Sequence, residues 1–268
     1  MTLKNPLPVL ALMLWAGAAS AAETTVDRLN FVSCPIVRDT KEVPCWITRY
    51  KGETYYLGIQ QDIGAAFYPP QLKHRVLVEG TPHPDKRICG GIVLDPVAVS
   101  PLQEVDKSCD TILPGGKYRI DFAPRGAGPS KGGVPATDPT RDGRLRTAAA
   151  QAEASTQPKT FVVRFDFDNE FMTAKNTAQV SSAARFAALN HAARIEVKGY
   201  RASTLLSDGK AFTEKPGIAE ARAEKVATAL REIGAAPGAI KVGWSDEAVR
   251  GDGQADFQNR RVEITVMP

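Results

Sequence analysis

Lys159-Thr160-Phe161-Val162-Val163-Arg164-Phe165-Asp166-Phe167-Asp168 is the stretch from which this chain is best read outward. Phe161, Val163, Phe165 and Phe167 alternate with Val162, Arg164, Asp166 and Asp168, and a period of two marks a strand with one buried face. Downstream, Val180, Ala184, Ala187 and Ala188 recur at spacings of three and four, which predicts a helix from about Asn176 to Leu189. Arg194-Ile195-Glu196-Val197-Lys198 alternates again. Pro216 suits a first helical turn and Gly234 a helix end, bracketing a second helix from Gly217 to about Ile233. Ile240-Lys241-Val242 and Arg261-Val262-Glu263-Ile264-Thr265-Val266 supply two more strands. Strand, helix, strand, helix, strand, strand implies a sheet with helices over one face.

Upstream, residues 123–158 hold five Pro, five Gly and eight Ala, with Val134 and Leu145 as the only large apolar side chains. Such a stretch buries too little surface to offset its ordering entropy, so it reads as a linker. It is either a passive spacer or a tether between two independently working units. Residues 23–122 read as short strands and turns. Trp46–Tyr50 and Thr54–Gly58 flank Lys51-Gly52-Glu53 as a hairpin, and Arg75–Gly80 and Gly91–Leu94 are rich in β-branched residues. The expectation is a small β barrel, OB-like in outline and tied by disulfides. Trp46, Tyr50, Tyr55 and Tyr56 either fill its core or offer a stacking surface.

The first 22 residues carry Lys4, an apolar run from Leu7 to Ala18 and Ala19-Ser20-Ala21, the pattern of a cleavable signal peptide; the run is too short to serve as a spanning anchor. The expected location is therefore outside the cytoplasm. Cys34, Cys45, Cys89 and Cys109 form an even set without a Cys-x-x-Cys spacing, which favours two structural disulfides over redox or zinc chemistry. Four cysteines allow three pairings; short loops favour Cys34 with Cys45 and Cys89 with Cys109. His74 and His83 lie near no ligand-spaced cluster, so no metal is expected. A net charge of +4 is too weak to imply a nucleic-acid partner. No esterase elbow, phosphate loop, dinucleotide fingerprint or His-Glu-x-x-His occurs, and three histidines leave few general bases, so neither catalysis nor a cofactor is expected.

Phe165-Asp166-Phe167-Asp168, the strand ending in Gly199, Arg222-Ala223 in the second helix and the closing Asn259-Arg260-Arg261-Val262-Glu263-Ile264 occur in the order and spacing of the OmpA-like peptidoglycan-binding domain. Residues 159–268 resemble that family, giving a two-domain α+β chain: signal peptide 1–22, disulfide-tied β domain 23–122, linker 123–158 and OmpA-like βαβαββ sandwich. The resemblance implies binding of the peptidoglycan stem peptide through diaminopimelate, with an arginine fork on its carboxylate and an aspartate on its ammonium. With the leader, the resemblance implies a periplasmic protein associated with the wall or outer membrane, its first domain tethered to the wall and free to meet an envelope partner.

By motif position the arginine is Arg222, with Asp168, Asn169 and Arg260 as further ligand candidates. Arg222 shares a helical row with Ile218 and Val226, so its charge projects toward an apolar seam and needs a partner. That partner is either the ligand or an internal carboxylate such as Asp168. Asp168 suits orientation of its own turn equally well, and of Arg260 and Arg261 one faces away from the sheet while the other would pair with Glu263 or an upstream aspartate. The chain also departs from the family: Gly199-Tyr200-Arg201-Ala202 stands where Gly-His-Thr-Asp is usual, Lys215 replaces a common asparagine, and the loop from Ser203 to Lys215 is longer. Loss of the ammonium's counter-charge is worth about 1–3 kcal/mol unless Asp208 or Glu214 replaces it. The alternative function is an envelope scaffold that has lost diaminopimelate and mediates protein contacts.

Overall fold

The computed structural model describes residues 28–60, 67–116, 118 and 156–268; the signal-peptide expectation and nearly all of the linker lie outside them. Seven strands make up the first half: β1 (Leu29–Ser33), β2 (Pro35–Arg38), β3 (Cys45–Tyr50), β4 (Glu53–Ile59), β5 (His74–Ile88), β6 (Gly91–Val105) and β7 (Thr111–Leu113). The β3–β4 hairpin forms as the sequence indicates. Lys51 and Gly52, both at positive φ, make the two-residue turn whose twist matches antiparallel strands.

The sheet order is β1-β5-β6-β4-β3-β2-β7. This replaces the expected OB-like barrel, a five-stranded form, with seven strands whose path ends at β1 and β7 among the described residues. The sheet still curls. Phe31 of β1 stacks on Tyr50 of β3 at 4.2 Å between ring centroids, although three strands lie between theirs in the sheet. Irregular register along the fifteen-residue β5 and β6 supplies the bend. Phe31, Trp46, Tyr55, Leu57, Val76 and Val78 fill the inside of the curl, so Trp46 and Tyr55 are core residues and no stacking platform.

The disulfides join Cys34 to Cys109 and Cys45 to Cys89, correcting the short-loop pairing. Register explains the result. In the β2–β3 hairpin Pro35 faces Thr48 and Cys45 faces Arg38, so Cys34 and Cys45 sit four residue steps apart, roughly 13 Å. Cys89 and Cys109 lie at opposite ends of β5. Ile36 pairs with Thr111 in the parallel β2–β7 ladder, which sets Cys34 beside Cys109, Cα to Cα 4.9 Å.

The second half comprises β8 (Lys159–Arg164), α1 (Ala174–Leu189), β9 (Arg194–Leu205), β10 (Ala211–Thr213), α2 (Ile218–Glu232), β11 (Ile240–Val249) and β12 (Arg261–Met267). β9 is central. It pairs with β12 antiparallel and β11 parallel, β12 pairs with β8, and β10 folds back on the far end of β9. Val180, Ala183 and Ala184 of α1 and Ala223, Val226 and Leu230 of α2 close over Phe161, Val163, Val197 and Ile264. Gly199 marks where α2 crosses β9: a Cβ there would lie 2.1 Å from the Ala219 carbonyl oxygen. The βαβαββ order read from the sequence is found with one addition, the short β10 between β9 and α2.

The halves are packed together. Leu77 and Leu102 of the first meet Phe167 of the second in a buried cluster that Val32, Leu206 and Phe212 flank. Asn30 donates from Nδ2 to the Leu205 and Gly253 carbonyls at 3.0 and 2.8 Å, and the Tyr68 N–H donates to Asp166 Oδ2 at 2.8 Å. Glu79 and Arg260 form an ion pair inside this seam, at 0 % and 1 % exposure. The spacing of two independently tethered units gives way to a shared interface.

Candidate functional site

Arg222 lies in the α2 row with Ile218 and Val226, and all three are buried, as the spacing requires. Its side chain is wholly enclosed. Every donor is used: Nε on the Asn169 carbonyl at 2.9 Å, Nη1 on the Tyr200 carbonyl at 3.2 Å and Glu214 Oε2 at 3.0 Å, Nη2 on the Asp166 carbonyl at 2.8 Å and on Glu214 Oε1. The planar guanidinium meets the carboxylate through both arms, the arrangement that matches fork to fork.

Glu214 is equally satisfied. Oε1 also accepts the Asp168 N–H at 2.9 Å, and Oε2 the Ala202 N–H at 2.9 Å. The longer loop is the means of delivery. β9 runs on to Leu205, turns, and returns as β10, so that Glu214 arrives beside Ala202 with its N–H on the Ala202 carbonyl at 3.1 Å. Ala202 thus contributes backbone to an internal acid. Arg201 pins the same corner, donating to the Glu214 carbonyl and to the Asp246 carbonyl.

The other candidates converge on this corner without opening it. Asp168 adopts positive φ, and its Oδ1 accepts the Lys215 N–H at 2.7 Å, which ties the β8 turn to the β10 loop. Burial raises the Asp168 carboxyl above its ordinary range, with the Lys215 N–H opposing and the Glu214 charge reinforcing the rise. Asn169 gives its carbonyl to Arg222 and its Oδ1 to the Phe171 N–H at 2.8 Å. A depression of about 320 Å³ lies outside, lined by Asp168, Asn169, Lys215 and Lys225; Arg222 is not part of its wall.

Arg260 is elsewhere, in the interface, donating from Nη2 to Glu79 and from Nη1 to Thr204 Oγ1 at 3.0 Å. It is a structural cation, and Arg261 pairs with Glu263 as the sequence suggested. Sequence reasoning left Glu79 unremarked; an acid inside Val76-Leu77-Val78-Glu79-Gly80 was the available signal. Glu214, one of the two acids expected as replacements for the ammonium's counter-charge, instead pairs with the arginine. Among the described residues no group of three His, Cys, Asp or Glu is placed to hold a metal ion, and no helix is long and apolar enough to cross a membrane.

No family model matches the chain, and no curated protein matches it. Solved structures similar to it include the OmpA-like domain of FopA1 from Francisella tularensis, 24% identical over 41% of this chain and 73% of that one, TM-score 0.34. The periplasmic domain of Helicobacter pylori MotB (residues 90–256) is 17% identical over 44% and 82%, TM-score 0.34. A putative MotB-like protein from Desulfovibrio vulgaris is 13% identical over 48% and 90%, TM-score 0.32. The OmpA-like resemblance of the second half is common to its motifs and its element order.

Proposed function

We propose that this is a noncatalytic exported protein of the cell envelope in which the OmpA-like half serves as a scaffold for the first half and for protein contacts, and not as a diaminopimelate clamp. The observation that carries this reading is Arg222, whose donors are all taken by Glu214 and three backbone carbonyls at zero exposure. A ligand carboxylate would have to displace Glu214 and bury it anew. Leaving either charge unpaired in that site costs about 3–5 kcal/mol, more than the roughly 1.5–3 kcal/mol that a hydrogen bond to a charged group returns. The buried seam between the halves and the disulfides support the scaffold role, and the Lys4-to-Ala21 pattern supports export.

Cosedimentation with purified sacculi tests the reading. The wild-type protein is expected to remain in the supernatant, as is Lys215→Glu at the mouth of the corner. Retention of the wild type that free diaminopimelate competes away would restore the wall-anchor function and overturn the scaffold.

A further inference from the structure

A second cavity, of about 290 Å³, opens between the two halves, with Phe67 and Val97 of the first half facing Phe165, Asp166 and Phe257 of the second. Arg164 and Lys175 line it too, and both are exposed, which places them at its rim, while Asp166 sits deeper. Asp166 Oδ2 accepts the Tyr68 N–H, and Oδ1 takes no hydrogen bond from the described residues. Crowding by protein pushes this carboxyl up to about 6; the Tyr68 N–H and the charges of Arg260 and Arg222 oppose the rise and Glu79 adds to it. Arg260 also borders the cavity, but its charge is met by Glu79. Arg164 and Lys175 have no ion-pair partner among the described residues, so the cleft presents one poorly hydrated acid inside and two unmatched cations outside, with aromatic and aliphatic wall between.

We propose that this cleft binds a small zwitterion, its ammonium on Asp166 and its anionic group between Arg164 and Lys175, with an apolar spacer against Phe67, Val97 and Phe257. A neutral donor at Asp166 would leave the desolvated charge uncompensated, and a simple anion would face a like charge at the inner end. An amine without an acid leaves the rim cations unmet and meets their repulsion. Phenyl walls suit both the spacer and the ammonium. Because both halves supply walls, occupancy favours the packed arrangement, and the ligand stabilises the whole chain by mass action. Arg222 is not in the wall of this cleft, though its Nη2 donates to the Asp166 carbonyl at 2.8 Å, and the proposal does not depend on whether the corner there admits peptidoglycan.

The test is calorimetric titration of the disulfide-intact protein with 4-aminobutanoate, 6-aminohexanoate and 8-aminooctanoate, against hexylamine and hexanoate. At least one ω-amino acid is expected to bind about tenfold or more tighter than either single-charge control, a gap of about 1.4 kcal/mol. Asp166→Asn keeps an acceptor for the Tyr68 N–H and removes the charge; it should weaken that ligand at least about tenfold. Lys175→Glu replaces an exposed cation in the first turn of α1, where an acid is favourable to the helix, so folding is retained. It should weaken the ω-amino acid while leaving hexylamine as tight or tighter. Equal or tighter binding of hexanoate, indifference to either substitution, or no binding by any of the five compounds would overturn the proposal.

Discussion

Among the described residues Arg222 and Arg260 are both fully buried, and they are buried for different ends. Arg222 belongs to one half, lies in a helical row of apolar neighbours and is enclosed by its own loop. Arg260 joins the halves, reaching Glu79 across a distance of 181 residues in sequence. At Arg222 every N–H has an acceptor; at Arg260 the Nε is buried without one. A saturated site resists both water and ligand, whereas an unsaturated one tolerates its deficit only while the surrounding faces stay closed. The first arrangement therefore locks a pocket, and the second depends on an interface.

Removing Glu214 is the most damaging way to probe this contrast. Glu214→Ala leaves a guanidinium buried without its counter-charge, and a loss of about 3–5 kcal/mol in urea unfolding is expected. Replacing both members together, as Arg222→Met with Glu214→Leu, should recover only part of that loss: the desolvation of both ions disappears with the pair, but the Asp168 and Ala202 N–H groups and the Asn169, Tyr200 and Asp166 carbonyls lose their partners. Glu79→Ala is expected to cost less, about 1–3 kcal/mol, since the seam can open and hydrate Arg260. Its unfolding should also broaden into separate transitions of the two halves, followed by tryptophan fluorescence from Trp46 in the first and Trp244 in the second. A loss as large and as cooperative as that of Glu214→Ala would erase the distinction between the two sites.

Much of the second half was legible because its period-two and helical patterns are long and its apolar positions are consistent. Phe161, Val163, Phe165 and Phe167 are buried, and Ile218, Arg222 and Val226 share the inward row, as spacing alone demands. The partner of Arg222 was less legible. Periodicity says that a charge must be met, but the identity of the acid depends on how far β9 runs before it turns, and Ser203-Thr204-Leu205 gave no stop signal. The first half was legible strand by strand and not in its closure. Pairing between strands distant in sequence set both disulfides, and loop length, which describes the unfolded chain, says nothing about which strands become neighbours. Phe167 showed the other limit: alternation marked it as buried, yet its cover comes from Leu77 and Leu102 of the other half.

Asp166 sharpens the comparison from the side of pH. It holds its proton more tightly folded, at about 6, than at the ordinary carboxyl value of 3.8, so folding takes up a proton between those values. The stabilising contribution is full below about pH 4 and is lost as pH rises through about 6. Asp166→Asn should flatten that slope and stabilise the protein at pH 7 by about 1–2 kcal/mol, allowing for water admitted by the cavity. Unfolding curves taken at pH 4, 5, 6 and 7 on both proteins read the difference directly. An unchanged slope would show that the carboxyl is already well hydrated.

The Nε–H of Arg222 offers the most direct view of the central claim, since it donates to a backbone carbonyl inside a sealed corner. In a ¹H–¹⁵N spectrum of the full chain it should give a sharp resonance that exchanges slowly with solvent and does not move on titration with diaminopimelate or muropeptide. Rapid exchange, or a saturable shift on adding either compound, would mean that Glu214 yields the fork to a ligand and that the corner is a working receptor.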